Sequence, residues 1–174
     1  MSDTLVTVVA ILLAAIMMFI FPLLSVSERS DDISQLSVQT ATAEFVDNSR
    51  AIGKITMDNY QKLIDTIYAT GNSYDIEMEV KILDENIGKK SAWTQGTVIG
   101  ENVYYSVYTT QIVEVLQDSG VYTMKEGDIF SCSIKNINKT LSQSIRSVFY
   151  SISSADTYSV AAQHAGVCTA NGSN

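Results

Sequence analysis

An uncharged apolar run near the amino terminus constrains this chain more than any other feature. The run extends from Leu5 to Leu24, and only Thr7 and Pro22 within it are not plainly apolar. In an α-helix a run of this length spans about 30 Å, which is the thickness of the hydrocarbon core of a bilayer. A chain of 174 residues could bury such a segment only by giving most of its core to it. The run therefore predicts a transmembrane helix with the lipid bilayer as its partner.

A cleaved signal peptide is the alternative interpretation of the same segment. Signal peptides have a basic start, an apolar stretch of about 7–15 residues and a cleavage site between small residues. Here no base precedes Leu5, the run is longer, and Ser25-Val26-Ser27 is a poor cleavage site. We therefore expect residues 1–25 to form a transmembrane anchor in the cell membrane.

The charges beside the apolar run bear on its orientation. No Lys or Arg precedes the run, and only Arg29 lies close behind it, among three acidic residues. Since positive charge retains a flank in the cytoplasm, this flank offers little resistance to export. Two N-glycosylation acceptor sequences, at Asn138 and Asn171, agree with an exported domain. We expect a single-pass protein whose carboxyl-terminal domain is extracytoplasmic.

Residues 26–56 continue from the apolar run with no glycine or proline before Gly53. Apolar residues recur there near helical spacing, and serine, aspartate, glutamine and threonine fill most other positions. The pattern predicts an amphipathic helix and a connector. We expect the helix to leave the membrane and pack an apolar stripe, with Ile33, Leu36 and Phe45, on the domain.

Residues 57–170 mix the periodicities of helices and strands. Alternation of apolar and polar residues is clearest from Tyr74 to Ile82 and returns over Ile129–Ile137. We predict an α+β extracytoplasmic domain, in which the long amino-terminal helix packs on a small antiparallel sheet. The remaining predictions are helices capped by Thr56, Thr109 and Thr140, extended segments at Thr97–Ile99, Asn102–Val107 and Tyr158–Thr169, a polar loop at Asp84–Gly96 and a loose tail over residues 171–174.

Candidate catalytic and metal-binding residues are few. Asp75, Glu77 and Glu79 share one face of a predicted strand and could hold calcium, although a solvated strand face is the commoner explanation. His164 is the only histidine, and the chain contains no GxSxG, HExxH or CxxC motif. We therefore predict no enzyme, no metal site and no cofactor.

The charge of the chain argues against nucleic-acid binding. Nineteen acidic residues against eleven basic ones give a formal net charge of −8, and no cluster of Lys and Arg offsets it. Such a surface repels a phosphate backbone. We predict protein partners and no nucleic acid.

Cys132 and Cys168 are the only cysteines. In an oxidising compartment they could form a disulfide, and closing a loop of this length would contribute about 4 kcal/mol. Two separate thiols are the alternative, and the choice depends on the topology of the strands.

Three stretches of the chain carry a resemblance to a known family: the apolar run with Pro22, AEFVDNSRAIGKIT (Ala43–Thr56) and ATGNSYDIEMEV (Ala69–Val80). In layout the chain resembles type IV pilin-like proteins. The part from Leu5 through Gly71 is similar to the small pseudopilin-like membrane proteins of tight-adherence (Tad-type) secretion systems and related mobile elements of Gram-positive bacteria. The resemblance implies a helix that serves both as anchor and as assembly surface, without enzymatic activity.

Two functions are expected on these grounds. The first is a membrane-anchored structural subunit or accessory of a pilus-like or secretion assembly, which self-assembles or binds protein partners through its amino-terminal helix. The alternative is a membrane-anchored extracytoplasmic module that binds a peptide, glycan or envelope partner through an open sheet edge or a tyrosine-rich surface. The tyrosines of that surface are Tyr104, Tyr105, Tyr108, Tyr122 and Tyr150, although half-buried faces of a small sheet are the preferred explanation for them.

Overall fold

The computed structural model describes residues 2–83, 104–149 and 161–172. Helix α1 (Ser2–Ile52) runs without interruption through the apolar run, past Pro22 and into the domain. Its 51 residues form a rod about 77 Å long. It ends at Gly53, whose φ of +71° is a conformation that L side chains rarely adopt.

The elements after α1 form two small antiparallel sheets and three helices among the described residues. Strands β1 and β4 pair with each other, and the larger sheet has the order β3-β2-β5-β6. Its register places Met78 opposite Cys132 and Cys132 opposite His164. The elements are β1 (Lys54–Thr56), α2 (Met57–Tyr68), β2 (Tyr74–Leu83), β3 (Tyr104–Tyr108), α3 (Thr109–Ser119), β4 (Val121–Thr123), β5 (Ile129–Asn136), α4 (Leu141–Phe149) and β6 (Ala161–Val167).

Threonine hydroxyls form hydrogen bonds at the starts of helices α2 and α3. Thr56 caps α2 as predicted, because its hydroxyl accepts a hydrogen bond from the Asn59 amide at 3.3 Å. The predicted cap of α3, Thr109, is instead its first helical residue, and its hydroxyl accepts a hydrogen bond from the Met78 amide at 2.6 Å. This bond ties the start of α3 to β2.

The hydrophobic core lies where the outer half of α1, helices α2 and α3 and the inner face of the larger sheet meet. Phe45 of α1 is 4% exposed, and its ring centroid lies 5.6 Å from that of Phe130 and 6.4 Å from that of Tyr60. The largest fully buried side chains are Phe130, Ile55, Ile67, Met78, Ile112, Leu116, Met124, Ile134, Val38, Val46 and Val80.

The face of α1 that packs on the domain differs from the predicted one. Phe45 is buried as expected, but Ile33 and Leu36 are 63% and 65% exposed. Small side chains allow the helix backbone to approach the sheet closely. The hydroxyls of Ser27, Ser34 and Thr42 donate to the carbonyl oxygens four residues earlier, whereas the buried Ser49 hydroxyl has no hydrogen-bond partner among the described residues. The prediction was wrong for Ile33 and Leu36 because the contact face mixes small hydroxyl residues with Val38, Phe45 and Val46, so hydropathy alone does not locate it. The buried face is formed by Ser27, Ser34, Val38, Thr42, Val46 and Ser49.

Polar contacts fix α1 to helix α4. The Asp31 carboxylate accepts hydrogen bonds from the hydroxyls of Thr140, at 2.8 Å, and Ser142. One turn earlier, Glu28 forms an ion pair with Arg146. Because Asp31 is only partly exposed and is held by two hydroxyls, α1 cannot rotate against α4 without leaving those hydroxyls unpaired.

A second set of contacts fixes α1 to the edge strand β6. The Gln35 side chain forms two hydrogen bonds with the backbone of Ala161, at 2.6 and 2.9 Å. Farther along, Asp47 lies 3.0 Å from the imidazole of His164. Helix and strand therefore run side by side over the outer half of α1.

The carboxyl-terminal residues are not loose where the structure describes them. The Thr169 amide donates to the Arg50 carbonyl, and the Gly172 amide donates to the Met124 carbonyl at 2.9 Å. The Asn171 side chain accepts a hydrogen bond from the Glu126 amide at 2.8 Å. Residues 168–172, named here the carboxyl-terminal strap, thus bind the end of α1 to the β4–β5 turn, and the predicted loose tail is corrected for residues 171 and 172. Residues 173 and 174 lie outside the described residues.

Some predicted elements fall outside the described ranges or differ from them. The polar loop at Asp84–Gly96 and the extended segment at Thr97–Ile99 lie outside the described residues. The next predicted strand is observed as β3 from Tyr104 onwards. Strands β1 and β4, of three residues each, were not predicted.

Candidate functional site

The membrane-length half of α1 presents a bare apolar surface. Among the described residues, α1 is the one helix long and apolar enough to cross a membrane, and none of its most apolar window is buried. Met18 and Phe19, for example, are 77% and 78% exposed. The described part of the domain therefore leaves this half of the helix largely uncovered, although Ile20 and Leu24 are half-buried.

A second exposed apolar surface continues along the outer half of α1. Val26, Ile33 and Leu36, named here the outer apolar stripe, are each more than 60% exposed. At about 100° per residue, the stripe lies roughly half a turn from the face that packs on the sheet. Because α1 is unbroken, the stripe extends the exposed apolar surface of the membrane-length half into the domain.

The outer apolar stripe borders a groove between α1 and α2, named here the α1–α2 groove. Its upper part has a volume of about 360 Å³ and its lower part about 480 Å³, and Ile33 and Ser37 line both. Phe45 and Leu63 line the upper part, and the ion pair of Lys62 with Glu44, at 2.8 Å, lies beside it. A groove with apolar walls and a charged rim can accept the side chains of a partner helix.

Cys132 and Cys168 do not form the disulfide that the sequence left open. Both thiols are free and buried. The register places Cys132 opposite His164, four residues before Cys168, so about 13 Å of strand separates the two positions. A disulfide needs α-carbons within about 7 Å.

The two thiols have different surroundings, but the pKa of each is raised. Burial raises the pKa of Cys132 to about 12. Burial also raises the pKa of Cys168, whose thiol donates to the carbonyl oxygens of Arg50 and Ala170. Neither is a reactive thiolate at neutral pH.

The carboxylates of β2 do not gather around a common point. Asp75 and Glu77 are exposed, while Glu79 accepts a hydrogen bond from the Ser106 hydroxyl at 2.7 Å. Within residues 2–83, 104–149 and 161–172, no group of three His, Cys, Asp or Glu side chains could hold a metal ion.

His164 makes a structural contact between α1 and β6. Its Nε2 lies 3.0 Å from Asp47, which also accepts a hydrogen bond from Arg50 at 2.8 Å. Hydrogen bonds from Arg50 and then from His164 lower the pKa of Asp47 below its usual value. The cluster stabilises the ionised carboxylate and positions Arg50 against Gly166.

The asparagines of both acceptor sequences take part in the fold. The side-chain oxygen of Asn138 accepts a hydrogen bond from the Ser73 amide at 2.7 Å, and that of Asn171 accepts one in the carboxyl-terminal strap. These hydrogen bonds give both asparagines a structural role that does not depend on glycosylation.

The predicted tyrosine surface divides between exposed and half-buried positions. Tyr105 and Tyr108 of β3 are 53% and 60% exposed. Tyr122 is half-buried, and burial raises its pKa. Tyr150 lies outside the described residues.

The α1–α2 groove and the small-residue face of α1 were not predicted from the sequence. A signal for the latter was present, because Ser27, Ser34, Thr42 and Ser49 recur every seven or eight residues, close to two helical turns. The groove has no comparable signal, since it depends on how α2 folds back along α1.

Comparison of the chain with protein-family models, curated proteins and solved structures found no match.

Proposed function

We propose that this protein is a single-pass membrane-anchored subunit or accessory of a pilus-like or secretion assembly, which acts by helix packing and not by catalysis. The observation that supports the proposal best is the single unbroken helix α1, exposed and apolar over its first half and carrying the outer apolar stripe on its second.

The membrane anchor accounts for the exposure of the apolar run. The core helix of a soluble protein is covered by the rest of its chain, whereas here the described domain leaves the run bare. Each large aliphatic side chain left in water costs about 1.5–3 kcal/mol relative to burial, and a bilayer removes that cost along the whole run. An extracytoplasmic domain, with few bases beside the helix, is part of the same proposal.

Packing against a neighbouring helix would cover α1 both within the membrane-length half and along the outer apolar stripe and the α1–α2 groove. Ala10, Ala14 and Ala15 give the membrane-length half small residues at which a second helix can approach closely. The outer apolar stripe and the α1–α2 groove then offer an apolar contact to the same neighbour where it leaves the bilayer. A long helix whose outer half rests on an antiparallel sheet is also the layout that the resemblance to pilin-like proteins implies.

The anchor is tested by membrane extraction. After alkaline carbonate washing, the full-length chain is expected in the membrane pellet. Ala14→Arg is expected to shift the chain towards the soluble fraction, because a central arginine costs about 2.5–3.5 kcal/mol on insertion. Ala51→Arg, the same change at an exposed position beyond the run, is the matched control and should stay in the pellet. Release of the unaltered chain by carbonate would contradict the anchor.

The packing surface is tested by cysteine crosslinking in native membranes. Ile33→Cys and Leu36→Cys are expected to form crosslinked dimers, since both positions lie on the outer apolar stripe. Gln39→Cys, which is exposed on the same helix but lines neither part of the groove, should crosslink much less. The native thiols are buried and should not interfere. A chain that is monomeric and uncrosslinked at every position would rule out the assembly proposal.

One observation supports the anchored binding module as a second candidate. Among the described residues β3 pairs with β2 alone, and it carries the exposed Tyr105 and Tyr108. An open strand edge with aromatic side chains can add an extended peptide as a further strand. A monomeric chain that captures a ligand at this edge would favour this function.

A further inference from the structure

The loop between β5 and α4 carries exposed apolar side chains. This loop together with the first residue of α4, residues 137–141, is named here the basal loop. Ile137 is 68% exposed and Leu141 is 58% exposed, and three polar residues separate them. The backbone around them is well held, because the Ile137 amide donates to the Ser73 carbonyl and Asn138 accepts from the Ser73 amide. The two side chains are thus presented outward on a fixed support.

The position of the basal loop along α1 places it next to the apolar run. Thr140 of the loop is hydrogen-bonded to Asp31, which lies seven residues beyond Leu24 and so about 10 Å farther along the helix. Arg146 of α4 pairs with Glu28, about 6 Å beyond the same point. The headgroup layer extends about 5–8 Å outside the hydrocarbon core on each side of a bilayer. A bilayer that ends at Leu24 therefore places the Glu28–Arg146 ion pair within its headgroup layer and the Thr140–Asp31 hydrogen bond about 2–5 Å outside it.

The charges at this end of the domain suit a phospholipid surface. Lys139 lies within the basal loop and Arg29 is exposed on α1, and neither forms an ion pair among the described residues. Of the nearby acids, Glu28 pairs with Arg146, while Asp31 accepts two hydrogen bonds from neutral hydroxyls and Asp32 is exposed on the same turn of α1. The three acids and the three bases named here balance, so this end is locally neutral in a chain with a net charge of −8. Arg29 and Lys139 are thus the cations available to lipid phosphates.

We propose that the basal loop rests in the surface of the bilayer that α1 crosses, with Ile137 and Leu141 in the headgroup region and Lys139 beside lipid phosphates. The inference rests on the proposed membrane anchor. The partner is the phospholipid surface itself, because the apolar side chains and the cation occur together at headgroup height. The domain then lies against the membrane instead of standing away from it.

Fluorescence quenching by spin-labelled lipids tests this proposal. The full-length chain is placed in nanodiscs of phosphatidylcholine and phosphatidylglycerol, one chain to each disc, and an environment-sensitive fluorophore is attached to Ile137→Cys or Leu141→Cys. Both native thiols are buried, so the label goes to the introduced cysteine. Thr123→Cys is the control, because β4 pairs with Lys54 about 45 Å along α1 from Leu24. Ala14→Cys reports on the anchor itself.

Headgroup nitroxides are expected to lower the fluorescence at positions 137 and 141 about twofold, since interfacial side chains enter about 5–10 Å into the headgroup boundary. The Thr123 probe should be unaffected, and a mid-chain nitroxide should quench the Ala14 probe. Quenching at Ala14 with none at 137 and 141 would overturn the basal-loop proposal and leave the anchor standing. No quenching at Ala14 would overturn both.

Discussion

Replacing Phe45 by alanine is expected to lower the free energy of unfolding by about 3–5 kcal/mol. The Phe45 ring is 4% exposed and lies edge-on to Phe130, with Tyr60 on its other side. Its removal leaves a cavity where α1, α2 and the sheet meet, and the backbone of α1 cannot move in to fill it while α4 and β6 hold the helix. Urea unfolding of the full-length chain in detergent, followed by tyrosine and tryptophan fluorescence, measures the loss.

Leu36→Ala is the matched control for Phe45→Ala. Leu36 lies on the same helix but is 65% exposed, so its truncation should change the free energy of unfolding by less than about 0.5 kcal/mol. The same variant should weaken crosslinking between chains. If both variants destabilise the chain equally, the assignment of the two faces of α1 is wrong.

Gly53→Ala is expected to destabilise the chain by about 3 kcal/mol. A φ of +71° costs an L residue about 1–2 kcal/mol, and overpacking adds about 1–3 kcal/mol. A methyl group at this position would overlap the backbone of Ala170 and Gly172, which cannot rotate away as a side chain could. Hydrogen exchange should show faster exchange at the Met124 and Gly172 amides, which depend on the close contact.

Two other glycines separate the effect of the overlap from that of the backbone angle. Gly71 and Gly120 have φ values of +80° and +78°, and a methyl group at either would meet nothing within 4 Å. Alanine at these positions should therefore cost about 1–2 kcal/mol and leave the carboxyl-terminal strap in place. Equal losses of unfolding free energy at all three glycines would show that steric contact with the carboxyl-terminal strap does not restrict residue 53.

The elements that the sequence predicted are those with strong local signals. The apolar run and the absence of glycine before Gly53 indicate α1, strict alternation indicates β2 and β5, and a threonine hydroxyl marks the start of α2. Strands β1 and β4 have no such signal, because each is three residues long and its partner is more than sixty residues away. Their pairing is decided by tertiary structure.

The surfaces proposed for function were harder to predict than the elements. Ile33 and Leu36 are as hydrophobic as core residues, yet both are exposed. On the same helix the polar residues Ser34 and Thr42 are buried instead. Likewise, the spacing of Cys132 and Cys168 permits a disulfide until the register of β6 separates them. Both outcomes depend on distances between elements, which a local pattern does not contain.

The junction between the apolar run and the domain has mechanical consequences. α1 continues through it as a helix, with no glycine or linker to absorb a bend or a twist, and Asp31, Gln35 and Asp47 secure the upper half. A rotation of α1 about its own axis is therefore expected to rotate the domain with it. Likewise, each residue drawn out of the lipid would lift the domain by about 1.5 Å. A machine that pulls or turns this chain needs to grip only one end of it.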